Sequence, residues 1–330
     1  MTVRRAATVA LALLVTLGAR TASAQEVTLQ IGSTAPANSP WDIGLRKIAA
    51  EWSRVSGGRV RMTFPRSVAN ASQEDLIQKL KFSLDGAVLE TTGLGFIDPD
   101  VFFLSLPSII RDDAEYERAM AAAMPLIKAK MAGRYEIVAT AKGGWIRFFS
   151  NQPIRTPEDL RNIRMGVNRN MDSLTKLLQS VGARTVKTDT AATLLQFNSG
   201  AMDAMYSSPL YVAALWSQFR RSITHMTGFK VAPFFGAVII NKRSWDRVPD
   251  SLKPLLLDAA ERVCVEISAE TAALEERGIE AMRRGGLTVP DYTAADERAW
   301  NALYAEKIPE VALEWYSPEF TAAILAAIGR

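Results

Sequence analysis

The chain reads as an α/β protein of two lobes. Two features carry that expectation: strands alternate with helices along the first part of the chain, and the length exceeds what one small core holds. Setting aside Met1 to Ala24 leaves 306 of the 330 residues, and chains of that size divide into more than one compact unit. Strand–helix alternation implies a mostly parallel sheet covered by helices. Ligands of such sheets sit outside the carboxyl ends of strands, where chain order reverses. The composition is that of an ordinary globular protein, with 48% hydrophobic residues and no low-complexity tract, heptad array or short internal repeat.

Met1 to Ala24 has the build of a secretory signal peptide. Arg4 and Arg5 form a basic start, Ala6 to Leu17 is an apolar run, and Ala22-Ser23-Ala24 supplies a small-residue cleavage site. The apolar run is too short for a membrane span, which needs about twenty residues. Cleavage is expected after Ala24, giving an exported chain with no membrane insertion of its own. Removing Arg4, Arg5 and Arg20 takes Lys+Arg from 39 to 36 against 35 Asp+Glu, a net charge of about +1. A nearly neutral surface argues against a nucleic-acid partner. One cysteine, Cys264, excludes an internal disulfide, and one histidine, His225, excludes a two-histidine zinc motif. Neither a metal nor a cofactor is expected.

The elements follow in order. Val27 to Gly32 alternates as a strand, and Trp41, Leu45, Ile48, Trp52 and Val55 keep helical spacing up to Gly57-Gly58. Val60, Met62 and Phe64 alternate as a second strand. Ser72 to Leu84 reads as a helix, with Ser72 and Asp75 placed as a capping box. Ala87 to Thr92 is a short strand. The strand-end rule therefore points to the loops after Gly32 and after Thr92. Asp112 starts a helix over Asp113 to Met131, closed by Gly133. Glu136 to Thr140 and Trp145 to Ser150 read as strands.

Asn151 to Val167 reads N-Q-P-I-R-T-P-E-D-L-R-N-I-R-M-G-V. Thr156 is placed as an N-cap with Pro157 first in a short helix, and Asn162 to Val167 then alternates as a strand. The helix stripe Leu174, Leu177, Leu178, Val181 ends at Gly182, and Thr185 to Lys187 is a short strand. Thr190 to Ser199 is helical, Met202 to Met205 extended, and a helix from Pro209 leads to Ile223 to Met226. Phe234 to Ile240 reads as a strand. Ser251 to Arg284 is one helical run of about 50 Å, either broken near Gly278 or running on as a strut. Ala294 to Ile328 is helical, with Pro309 and Pro318 as breaks or restarts.

Three stretches resemble one family. P-I-R-T-P-E-D-L-R-N-I-R-M-G-V is similar to the central segment of the solute-binding proteins of TRAP transporters, the DctP-like family, where P-I-x-x-P-x-D-L-K-G-L-K-I-R-V is usual. Val238 to Pro249 resembles that family's V-x-I-N-K-x-x-W-x-x-L-P, and Leu195 to Ala204 its L-Q-T-G-x-V-D-G. The resemblance runs from about Val27 to the last helix. It implies a periplasmic-binding-protein-like fold with a ligand cleft between two lobes, the chain crossing at Trp145 to Ser150 and returning at Phe234 to Ile240, and a long helix spanning both. It implies lobe I at 25–145 plus about 232–262, and lobe II at 146–231 plus about 263–330. It also implies a periplasmic receptor that captures a small organic acid, a carboxylate, and delivers it to the membrane permease subunits of a TRAP transporter.

The site expectations start from a departure. The family's carboxylate-binding arginine falls on Gly166, and Arg164 lies two residues earlier on the same strand face. Ser208 stands where the family has asparagine. The replacements expected are Arg147 with Trp145 on the crossing strand, Arg164, Tyr206 with Ser208, Thr92, and Trp41. Arginine offers a planar fork for a carboxylate, and tyrosine a rigid face with a hydroxyl. Surface ion pairing is the alternative for Arg147 and Arg164, and core packing for Trp41 and Trp145. Two other functions share the chain's features: an exported α/β hydrolase, or a ligand receptor for a sensor kinase. The hydrolase is disfavoured because His225 is the single histidine and no Gly-x-Ser-x-Gly elbow occurs.

Overall fold

The computed structural model describes residues 26–69 and 71–330; the expected signal peptide and its cleavage site lie outside them. The first lobe is built from β1 (Val27–Gly32), α1 (Pro40–Val55), β2 (Val60–Thr63), α2 (Gln73–Leu80), β3 (Gly86–Glu90), α3 (Thr91–Ile97) and α4 (Asp113–Met131). The long strand β4 (Tyr135–Ser150) leads to the second lobe. There follow β5 (Arg164–Asn168), α5 (Asp172–Ser180), β6 (Arg184–Thr188), α6 (Thr190–Asn198), β7 (Ala204–Ser207), α7 (Pro209–Ala214), α8 (Trp216–Phe219) and β8 (His225–Met226). β9 (Ala232–Asn241) returns to the first lobe, and α9 (Lys242–Trp245), α10 (Lys253–Arg284), α11 (Ala294–Trp315) and α12 (Pro318–Ala327) complete the chain.

Local chemistry explains most of the boundaries. Ser39 caps α1 by accepting the Asp42 N–H, and Ser72 with Asp75 forms a reciprocal capping box on α2. Asp112 accepts the Glu115 N–H at the start of α4. The expected strand through Thr92 stops at Glu90, because Thr91 and Thr92 already belong to α3. The helix expected after Thr156 is a single 3-10 turn, Pro157–Leu160. Pro309 does not break the tail: it lies inside α11, whereas Pro318 opens α12 at a position that needs no N–H donor.

The described strands form one nine-stranded sheet in the order β2-β1-β3-β9-β4-β7-β5-β6, with β8 also on β4. Parallel pairing is confined to the outer strands: β1 with β2 and β3, and β5 with β6 and β7. β9 and β4 run antiparallel to each other and to their outer neighbours. The sheet is therefore mixed, a correction to the mostly parallel expectation, and the two crossing strands are the reason. β4 also joins the two strands expected within it. It pairs β9 through Ile146, then pairs β7 from Arg147 onward. Its register shifts at Lys142/Gly144, and Gly144 holds φ +107°, a conformation reserved for glycine.

Helices cover both faces. Against one face, Trp52, Leu45 and Ile48 of α1 and Leu256, Val263 and Ile267 of α10 bury on the first lobe. The other face carries α2, α4, α5, α11 and α12 over both lobes, with Phe103, Phe148, Leu174 and Trp300 at 0–1% exposure. A third cluster packs α7 and α8 with Met282 of α10. The 32 residues of α10 make an unbroken helix of about 48 Å. Midway along it Gly44 of α1 approaches so closely that a Cβ there would lie 2.3 Å from Ile267. Near its end Gly278 lets Ala213 of α7 come within 3.1 Å of such a Cβ. The glycine is a point of contact with the second lobe, which is why the helix runs on through it. Cys264 is buried on this helix, and burial pushes its thiol up to about 12, as a structural thiol requires.

Candidate functional site

The carboxyl ends of β1 and β3 face those of β5 and β7 across the line where β4 changes partners. Gln73, the first residue of α2, binds the two first-lobe ends together. Its side-chain oxygen accepts the Glu90 N–H at 2.9 Å, and its amide donates to Thr34 Oγ1 at 3.4 Å. Its neighbour Glu74 accepts a hydrogen bond from Asn170, in the loop after β5. Tyr206 of β7 donates its hydroxyl to the Ser105 carbonyl at 2.6 Å. The lobes thus meet at two points around the strand ends.

Arg147 sits where β4 leaves β9 for β7, opposite Ser207. It is 8% exposed. One guanidinium nitrogen donates to the Gly228 carbonyl at 3.2 Å, while Nε has no hydrogen-bond partner. Burial disfavours its charge, and the carboxylates of Glu275 and Glu276 on α10 oppose that effect. A buried cation with an unfilled donor is costly unless an anion meets it.

Trp145 is 4% exposed and belongs to the main core. Its Nε1–H donates to Asp113 at 3.2 Å, and its backbone N–H donates to the Glu275 carboxylate at 2.9 Å. The ammonium groups of Lys142 and Lys230 lie 4.4 and 4.7 Å from its ring centre and both pair with Asp113. Core packing is thus the role the structure gives this tryptophan. Tyr206 is likewise committed, through Ser105 and through its ring against Phe148 at 6.2 Å. Trp41 is half-buried at the start of α1, and its ring edge covers Gly236, where a Cβ would lie 3.0 Å away. Thr92 is half-buried in the first turn of α3. Ser208 caps α7, its hydroxyl oxygen accepting the Leu210 N–H at 3.2 Å and keeping its own proton to donate.

Arg164 is the clearest correction. It lies at the amino end of β5, away from the strand ends that face the other lobe. Its fork is filled by Asp203: Nε and an NH2 group donate at 2.7 and 2.6 Å, and the Arg164 N–H donates to the same carboxylate at 3.0 Å. Those hydrogen bonds hold the Asp203 carboxyl down at about 2. The stabilisation they give is present above the ordinary aspartate range near pH 4 and is lost as pH falls towards about 2. Arg164→Ala is therefore expected to leave solute affinity within about threefold and to move the melting midpoint little at neutral pH, because exposed pairs contribute little. A large loss of affinity in calorimetry would return Arg164 to the site. At Gly166 a Cβ would lie 2.4 Å from the sulfur of Met202, which is 1% exposed. That methionine fills the space beside the strand where the family resemblance places a cation.

Sequence reasoning missed Glu90. It ends β3, stays exposed, and its carboxylate makes no hydrogen bond or ion pair among the described residues. Its place beside Thr91 at a strand's carboxyl end was the available signal. A recess of about 300 Å³ opens between α3 and the loop after β5, lined by Phe96, Phe102, Asn170, Ser173 and Tyr316. A larger one of about 540 Å³ lies around Arg161, Asn162 and Gly182, at the amino end of β5 and the far end of α5, where strand-end binding does not apply. Among the described residues no group of His, Cys, Asp or Glu is placed to hold a metal, and no helix is long and apolar enough to cross a membrane.

Two lobes joined by crossing strands, with a buried cation at the crossing, are the build of a solute receptor. The chain belongs to the bacterial extracellular solute-binding proteins of family 7, DctP, whose profile matches residues 31–314. Members of this family bind solutes and are not enzymes, which removes the hydrolase alternative. No curated protein matches the chain. Solved TRAP periplasmic solute-binding proteins share its fold. One from Roseobacter denitrificans with bound β-D-glucuronate is 18% identical, with TM-score 0.80 over 92% of this chain and 99% of that one. One from Ralstonia eutropha H16 with bound (S)-2-acetolactate is 17% identical, with TM-score 0.77 over 91% and 98%. A Bordetella pertussis extracytoplasmic solute receptor binding pyroglutamic acid is 17% identical, with TM-score 0.78 over 92% and 100%.

Proposed function

We propose that the chain captures a small organic acid in the periplasm and delivers it to the membrane subunits of a TRAP transporter. The observation that carries this is Arg147, a buried guanidinium with an unpartnered Nε at the strand crossing between the lobes. A carboxylate is the anion whose geometry fits such a fork. The solutes of the solved relatives, glucuronate, acetolactate and pyroglutamate, are all carboxylates. Ser208, Thr92 and Trp41 line the cleft in this reading, with the lobes divided as the resemblance implies and the signal peptide removed after Ala24. Closure needs dihedral changes in few residues of β4 and β9, so the receptor works as a hinge.

The test is a melting screen of the exported protein against small carboxylates and uncharged polar solutes. A solute at a hundred times its Kd adds about 2.7 kcal/mol of stability, so a binder stands out as a rise of several degrees. A response confined to carboxylates supports the reading. A response only to uncharged solutes refutes it.

A further inference from the structure

We propose that Glu90 is the subsite for an ammonium group on the solute, so that the cleft selects amino-bearing carboxylates over plain ones. The inference rests on the carboxylate reading above and adds the second half of the solute.

Three observations place Glu90 there. It ends β3 at the strand's carboxyl end, on the strand face it shares with Gly236, which Trp41 covers. Its backbone is fixed by Gln73, whose neighbour Glu74 is the first-lobe group that takes the Asn170 hydrogen bond from the second lobe. Glu90 is thus rooted beside the point where the lobes meet. Its carboxylate nevertheless has no partner among the described residues, although cations are plentiful on this chain.

The side chain is also exposed and yet desolvated: burial alone pushes its carboxyl above the ordinary range. In this proposal the group lines the cleft, reachable by water and walled by protein. A walled carboxylate without a counter-charge is disfavoured, and an ammonium group removes the deficit, whereas a hydroxyl supplies only a hydrogen bond.

The charge balance agrees. The resemblance places a cation at Gly166, and this chain has none there, with Met202 in the adjoining space. Lys142 and Lys230 are taken up by Asp113. Glu275 and Glu276 act on the Arg147 charge from α10 without filling its Nε, and among the described residues the Glu90 carboxylate has no cation at all, so the strand ends keep one unfilled group of each sign. A solute of zero net charge with its two charges separated complements that pair, and a dianion does not.

The test compares three forms of one carbon skeleton, amino, hydroxy and unsubstituted, for acids of four to six carbons with the nitrogen at either end. Titration calorimetry on wild type, Glu90→Gln and Arg147→Lys reads the ratio of affinities. In the wild type the amino form is expected to bind at least about tenfold tighter than the unsubstituted acid. Glu90→Gln keeps the size and should bring that ratio to about one while retaining the plain acid. Lowering the pH through the Glu90 titration, while staying above about pH 5 so that the solutes keep their own carboxylates charged, should weaken the amino form and leave the plain acid, since protonation of Glu90 removes the counter-charge. Arg147→Lys should weaken every member. Acids that bind with a ratio unmoved by Glu90→Gln overturn this inference and leave the carboxylate reading standing. Binding of none of the acids, or binding indifferent to Arg147, overturns both.

Discussion

Arg147→Ala is expected to weaken the binding of a carboxylate solute by about 2–5 kcal/mol, roughly thirtyfold to several-thousandfold. The size follows from burial. Arg147 is 8% exposed, and among the described residues its guanidinium has one hydrogen-bond partner, the Gly228 carbonyl. Water screens such a charge poorly, so an anion that meets it gains most of what the pair can give. Its loss leaves the solute's carboxylate desolvated and unmatched. Arg147→Lys restores a charge without the planar fork and should recover only part of the affinity. Calorimetry on both variants decides it. Affinities within threefold of wild type for both would show that the clamp lies elsewhere.

How much of this was legible beforehand varies with the kind of signal. Caps and breakers were local and readable. Ser72 with Asp75, Asp112, and Gly182 end or start elements where the sequence places them. The unbroken α10 was open in the sequence because a glycine in a helix reads as a break until its neighbour is known, and that neighbour, Ala213, lies far away in the chain. The mixed sheet was hidden for a similar reason. Nothing in Phe234 to Ile240 states that it pairs with residues 86–90 and 135–146. The family resemblance supplied the crossing that periodicity could not.

The site was less legible than the fold. Arg164 looked like a clamp because the partner that fills its fork, Asp203, is 39 residues away. Trp145 and Arg147 read as a pair on one face, yet the strand changes partner between them, from β9 to β7, and the tryptophan is drawn into the core by Asp113 and two lysines. Glu90 escaped notice because β3 is buried on both faces from Gly86 to Leu89, which erases the alternation that shows where a strand's last side chain points.

The largest expected loss of stability, by contrast, lies well away from the cleft. Trp52→Ala should destabilise the fold by about 3–5 kcal/mol, a fall of about 5–10 °C in the melting midpoint. Trp52 has no exposed surface and is the largest side chain buried between α1 and α10. Its Nε1–H donates to the Leu256 carbonyl at 2.9 Å, and its ring lies 5.9 Å from that of Trp245. Alanine leaves a cavity that neighbouring backbone cannot close, because helices α1 and α10 are already held in close contact at Gly44. Trp52→Phe keeps most of the filling, loses the N–H, and should cost clearly less. Binding at low temperature is expected to survive in both variants. Trp52 lies eleven residues along α1 from Trp41, about 16 Å from the end that reaches the cleft. A melting shift under about 2 °C for the alanine variant would mean that the α1–α10 contact carries far less of the fold than its burial implies. A loss of affinity larger than the loss of folded protein would mean that α1 transmits its packing to the cleft, making the strut between the lobes part of the binding machinery.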